Sequence, residues 1–143
     1  MATGIQVVFD AADPDKIAHF WADALGYIIQ PPPEGFESWE QFLAKVGLPE
    51  SQWDKASAIV DPDGKGPRIY FQKVPEPKSA KNRVHLDLNL SRRGMSLDER
   101  KAAVHPEVER LEKLGARQLY TLEEQGEFCV TMADPEGNEF CVQ

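Results

Sequence analysis

The chain has 143 residues, 41% of them hydrophobic and 28% charged, enough for one proper core but not for two independent ones. A formal charge of −8 and an isoelectric point near 4.9 argue against nucleic acid or an anionic membrane as the main partner. No apolar run approaches the roughly 20 residues of a membrane helix, and the opening MATGIQVVFD lacks the basic segment of a secretory signal, so a cytoplasmic setting without membrane is expected.

In chain order, IQVVFD (5–10) reads as a short strand. ADPDKIAHFWADALGY then carries helix signals throughout: Asp13 as cap, Pro14 at the first helical position, Asp15 at the positive dipole end, and Gly26 as stop. Ile17, Phe20, Trp21, Ala24 and Leu25 recur at helical spacing and predict one apolar face. YIIQ (27–30) returns to strand. Three prolines at 31–33 break the pattern, because proline cannot donate to a ladder. Residues 31–56 then read as an inserted flap: Ser38 caps a short helix with Trp39, Phe42, Leu43 and Val46 on one side, and Trp53 follows in a polar loop. SAIVD (57–61) and RIYFQKV (68–74) predict a hairpin across the turn Asp61–Gly66.

PEPKSAKN follows as a basic linker. RVHLDLNL (83–90) reads as a strand, SRRGMSLDERK as a charged loop, and 106–114 as a helix from Pro106 to Leu114 stopped by Gly115. ARQLYTLE, EFCVTMA and NEFCVQ predict three more strands, the last two joined by the turn Asp134–Gly137. Cys129 and Cys141 lack metal-ligand spacing such as C-x-x-C and read as two reduced cysteines in a sheet.

Both halves thus run strand, helix ending in Leu-Gly, strand, and hairpin with an Asp-Pro-acid-Gly turn, which predicts an internal repeat of a βαβββ unit. The surplus length of the first half falls in the flap. Within the strands, Ile5, Val7 and Phe9 alternate with Gln6, Val8 and Asp10; Val84, Leu86, Leu88 and Leu90 with His85, Asp87 and Asn89; Ile69 and Phe71 with Arg68, Tyr70 and Gln72; Phe140 and Val142 with Glu139, Cys141 and Gln143. Successive strand side chains point to opposite faces, so one face packs on the helices and the other is polar. That polar face either meets solvent or lines a ligand cavity.

DPDKIAHFWADALGY, RIYFQKVPEPKSAKNRVHLDL and LEKLGA through MADPEGNEFCV, in this order over the whole chain, resemble the vicinal oxygen chelate superfamily in its glyoxalase-like branch. The resemblance implies an α+β fold (glyoxalase/bleomycin resistance type) in which two βαβββ modules form an open barrel-like sheet around a cavity. It also implies one domain over 1–143, with module one at about 1–74 and module two at about 82–143, acting on a small-molecule ligand and paired as a homodimer. In the superfamily's metal enzymes, His or Gln, Glu, His and Glu hold a divalent cation. The equivalent positions here are Gln6, Tyr70, His85 and Cys141, so a tyrosine and a cysteine stand where carboxylates are expected. Glu139 sits two residues early for the last position.

A divalent cation wants preorganised imidazole and carboxylate or thiolate donors. Gln6, His85 and Cys141 are the candidate metal ligands, for Zn²⁺, Ni²⁺, Mn²⁺ or Fe²⁺, but no cofactor follows from the residues themselves. His19 and His105 belong to helices, so a two-histidine iron site is not expected. His85 is the candidate base, since an imidazole suits proton transfer near neutral pH, and Asp87 shares its face although i and i+2 on a strand are far apart. Gln6, Tyr70, Gln72, Asp87 and Cys141 are candidate ligand contacts, with Trp39 and Trp53 as a lid or as core fillers. Lys78, Lys81 and Arg83 form a basic patch that either steers an anion or belongs to a solvated linker. Two functions stay open: a glyoxalase-like protein that binds or transforms a small metabolite without the full metal site, and a metal-dependent lyase or isomerase of the glyoxalase type.

Overall fold

Module one runs through β1 (Val7–Ala11), α1 (Pro14–Leu25), β2 (Ile28–Ile29), α2 (Trp39–Lys45), a 3-10 helix at Glu50–Lys55, β3 (Ala56–Val60) and β4 (Ile69–Lys73). Module two runs through β5 (Asp87–Leu88), α3 (Leu97–Leu114), β6 (Arg117–Glu124), β7 (Glu127–Ala133) and β8 (Glu139–Val142). These elements come from a computed structural model that describes every residue from Met1 to Gln143. The chain divides into two compact units, Met1–Pro77 and Lys78–Gln143. No helix is long and apolar enough to cross a membrane.

Each unit holds its own four-stranded mixed sheet, and the two are wired alike: β1-β4-β3-β2 in the first and β5-β8-β7-β6 in the second. In both, the first strand lies parallel to the last and the remaining pairs are antiparallel. The repeat read from the sequence is therefore a repeat of topology, an α+β arrangement of two βαβββ modules.

The helix on each sheet forms for local reasons. Asp13 accepts from Lys16 N at 3.2 Å to cap α1, and Gly26 ends it in the left-handed conformation, φ +70°. Ile17, Trp21 and Phe71 are buried, and the half-buried Phe9 places its ring 5.3 Å from Trp21 and 5.4 Å from Phe71. In module two, α3 begins nine residues before the helix expected from Pro106. A capping box explains the early start: Ser96 Oγ accepts from Glu99 N at 3.3 Å while Glu99 Oε2 accepts from Ser96 N at 2.7 Å. Pro106 then sits inside the helix. It forgoes one hydrogen bond, and the helix carries that loss because Val104, Val108 and Leu111 bury one face on the sheet.

Three further expectations need correction. Strand pairing begins at Val7, and Ile5 is exposed outside the sheet. The 83–90 strand narrows to Asp87–Leu88, and Val84 is exposed instead of joining the apolar face. Trp53 lies in the 3-10 helix at Glu50–Lys55 and not in a loop, with its indole N–H donating to Leu48 O at 2.9 Å. In the flap, the Trp39 indole donates to Gln30 O at 2.7 Å, and Lys73 on β4 pairs with Asp54. Phe36 and Trp39 pack edge-on against Phe42. None of the residues of α2 is buried.

The repeated Asp-Pro-acid-Gly turn has a physical purpose. In the first copy Asp61 accepts from the backbone N–H of Asp63, Lys65 and Gly66 at 2.9, 3.0 and 2.7 Å. In the second, Asp134 accepts from Glu136 N and Asn138 N, both at 2.9 Å. The turn glycines, Gly64 and Gly137, donate to the same aspartates' carbonyls and have φ of +68° and +87°, a region that only glycine enters freely. Each aspartate thus supplies acceptors that the tight turn cannot find in the ladder, and each delivers the last strand of its module in register. Asp134→Ala is expected to destabilise the protein by about 1–3 kcal/mol, because it orphans those donors. Asp134→Asn, which keeps one acceptor, should cost less, and urea unfolding of the two variants measures the difference.

Candidate functional site

The polar face of module two is set by register. Asp87 pairs with Cys141 in the parallel ladder, and Thr131 pairs with Cys141 in the antiparallel one, so these three side chains form a row. One row on stand Asn89, Gln143, Cys129 and Leu122. His85, two residues before Asp87, reaches the same spot: its Nε2 lies 3.2 Å from Asp87 Oδ1. The i, i+2 separation that argued against contact is bridged by the length of the imidazole and its freedom at a half-exposed strand end. One ligand atom each from His85, Asp87 and Cys141 falls within 4.8 Å of the others. Thr131 Oγ1 lies 3.5 Å from Cys141 Sγ, and Gln143 Nε2 donates to Asp87 Oδ2 at 3.4 Å and Asn89 Oδ1 at 2.9 Å.

Cys129 joins this face although the sequence offered no reason to single it out. It is a free thiol, like Cys141. Burial, then the nearby Cys141, raises its pKa above the ordinary thiol value. It is therefore a protonated, poorly nucleophilic group at neutral pH. Beside it a groove of about 350 Å³ opens between Leu122, Glu124, Phe128, Cys129 and Gln143. Its outer wall is β6, an edge strand exposed along its whole length. Two ion pairs from α3 hold this hairpin, Arg100–Glu127 at 2.8 Å and Lys101–Glu123 at 2.7 Å.

In module one, Gln6, Tyr70 and Gln72 share a face, but each is engaged. Arg68 Nη1 donates to Gln6 Oε1 at 2.8 Å and its Nε donates to Gln30 Oε1 at 2.7 Å. The same guanidinium lies over the Tyr70 ring, 5.2 Å from its centroid. Gln72 Nε2 donates to Asp10 Oδ1 at 2.7 Å. Arg68 and Gln30 carry no motif; only the parity of Arg68 with Tyr70 pointed to the face. Of the other histidines, His19 Nδ1 lies 2.8 Å from the Asp15 carbonyl, and His105 on α3 packs near Phe128 on β7.

The donors decide how well this chain fits a four-ligand cation site. At the module-one positions they fit badly: the Gln6 oxygen already accepts from a guanidinium, and that same positive charge sits over Tyr70 and opposes a second cation. The module-two trio of imidazole, carboxylate and thiol suits a borderline cation better.

The chain matches the model of the glyoxalase-like domain over residues 6–143. It belongs to the glyoxalase-like domain family. No curated protein sequence matches it. Among solved structures, a fosfomycin resistance protein FosX variant from Listeria monocytogenes, with Mn(II) and dihydroxypropylphosphonic acid, aligns at TM-score 0.63 and 14% identity, covering 100% of this chain and 90% of that one. A glyoxalase-related enzyme from Fulvimarina pelagi aligns at 0.61 and 15%, covering 99% and 87%. A glyoxalase/bleomycin resistance protein/dioxygenase family enzyme from Burkholderia phytofirmans aligns at 0.58 and 13%, covering 96% and 93%. At such identities the likeness speaks for the glyoxalase/bleomycin resistance fold and not for a reaction.

Glu139, the acid two residues before Cys141, is not free to serve as a ligand. Asn82 N donates to its Oε2 at 3.0 Å and Lys78 Nζ lies 3.2 Å away. The Asn82 backbone bond first, then Lys78, holds its pKa at about 2, below the usual 4.5. The linker lysine is thus a clasp closing the start of module two on β8. Because the folded carboxyl is the stronger acid, the stability it contributes is present above about pH 4.5 and is lost as the pH falls toward 2. Solvent screening keeps this to the order of 1 kcal/mol. Thermal unfolding across this window should show a smaller acid loss in Glu139→Gln than in the parent.

Proposed function

We propose that the chain binds a small metabolite, and transforms it where a proton can be moved, without the superfamily's complete metal site. The observation that carries this reading is the place of Arg68: a guanidinium occupies the oxygen of Gln6 and covers Tyr70, where a metal enzyme would present ligands. In module two, His85 is the proton acceptor. Asp87 at 3.2 Å orients its ring and balances the imidazolium formed when His85 takes a proton from carbon beside a carbonyl. Cys141 and Asp87 are the proposed ligand contacts on module two; on module one, taken by itself, Gln6, Tyr70 and Gln72 are proposed ligand contacts, with Trp39 and Trp53 as its proposed apolar cover. Free thiols agree with a cytoplasmic setting, and the homodimer rests on the family resemblance.

A second reading is favoured by one observation, the convergence of His85, Asp87 and Cys141. It makes the chain a metal-dependent lyase or isomerase of the glyoxalase type, with a divalent ion supplying Lewis acidity at these donors; the Listeria protein, whose structure holds Mn(II), offers a parallel.

One experiment separates the two. The chain and His85→Ala are reconstituted with Ni²⁺, Zn²⁺, Mn²⁺ and Fe²⁺ and assayed by elemental analysis, and both are screened against a small-metabolite mixture by ligand-observed NMR. The expected result is no stoichiometric metal, a metabolite hit for the parent, and weaker binding by His85→Ala. Where the hit is turned over, the variant should be slower by roughly 10²–10⁴-fold. One tightly held metal per chain, lost in His85→Ala, would establish the second reading instead.

A further inference from the structure

The polar face of module one carries a charge without a counter-charge. Arg68 is half-buried, and its partners are two amide oxygens and a phenol ring, none of them anionic. A guanidinium has five N–H donors. Gln30 takes the Nε donor and Gln6 takes one on Nη1, which leaves both donors of Nη2 and the second of Nη1 without a protein acceptor. These remaining donors lie at the Nη end of a plane that Gln6, Gln30 and Tyr70 hold from three sides. Such a fork matches the two oxygens of a carboxylate.

The surroundings define the rest of the ligand. Val8 on β1 pairs with Tyr70, two residues on from Arg68, and is 48% exposed. The face's carboxylate, Asp10, is tied to Gln72 and not to Arg68. A half-buried cation beside an exposed aliphatic side chain is costly on its own, and an acid with a compact apolar body offsets both costs.

We propose that Arg68 anchors a binding site for small carboxylic acids on the module-one face, with the carboxylate on Nη1 and Nη2 and the apolar body over Val8. The inference rests on reading the chain as a small-molecule binder and names the ligand class. A purely structural clamp between Gln6 and Gln30 would use the same bonds, so the test must read ligand binding and not stability.

The test is an NMR titration of the whole chain with benzoate, and with benzyl alcohol as its neutral counterpart, at constant chloride. Benzoate should shift the Arg68 Nε–H signal and the Gln6 and Gln30 side-chain amide signals saturably, and benzyl alcohol should not. Arg68→Lys, which keeps the charge but loses the fork, should weaken benzoate binding roughly tenfold, and Arg68→Gln should abolish it with the spectrum still dispersed. If Arg68→Gln does not fold, Arg68→Lys decides the matter. Equal responses to the two probes, no saturable shift with benzoate, or unchanged binding in the Arg68 variants would overturn the proposal. The His85 reading is judged separately, by metabolite binding and turnover: a His85-dependent metabolite hit with no saturable benzoate shift overturns this site alone, and a benzoate shift lost in Arg68→Gln with no such hit supports this site while the His85 reading fails.

Discussion

The parallel pairing of each module's first strand with its last governs everything else in this protein. It brings residues that are far apart in sequence into one register, Val8 against Tyr70 in module one and Asp87 against Cys141 in module two. Because strand side chains alternate, the same register sends Phe9, Phe71, Leu88 and Val142 toward the helices and leaves the polar set on the opposite face. A slip of one residue would exchange the two sets. The aspartate-organised turns at Asp61 and Asp134 guard against that slip, since each holds the hairpin that delivers β4 or β8.

On this common framework the two modules have diverged chemically. Module two gathers an imidazole, a carboxylate and two thiols around one point, with Thr131 and Gln143 supplying hydrogen bonds. Module one gathers a cation, two amides and a phenol. The first set offers donors of the kind that proton transfer or a borderline cation needs, whereas the positive charge in the second opposes a cation. Family membership, shown by the match over residues 6–143, leaves that choice open, because the fold carries many chemistries and its positions are filled differently here.

Several charges that look available in the sequence are committed in the structure. Glu139 serves the Lys78–Asn82 clasp, and Asp10 is tied to Gln72. The tryptophans of the flap spend their indole N–H groups on backbone carbonyls, which fixes the flap on itself and on the end of β2. On the two polar faces, His85, Asp87 and Cys141 stand together in one module, and the Nη end of Arg68 keeps open donors in the other.

The sequence by itself determined the element order, the βαβββ repeat, the α1 caps and the inward and outward parity of most strands, because these follow from local signals: capping residues, glycines at positive φ, and periods of 3.6 and 2. It misplaced the start of α3, where Pro106 looked like a boundary, because a capping box ten residues earlier and burial of Val104, Val108 and Leu111 outweigh one lost hydrogen bond. Only the tertiary structure decided which polar residues act together. Arg68 with Gln6, Lys78 with Glu139, and His85 with Asp87 and Cys141 are meetings of side chains. Such meetings depend on register between distant strands and on rotamers at half-exposed positions, and no local pattern along a single chain encodes either.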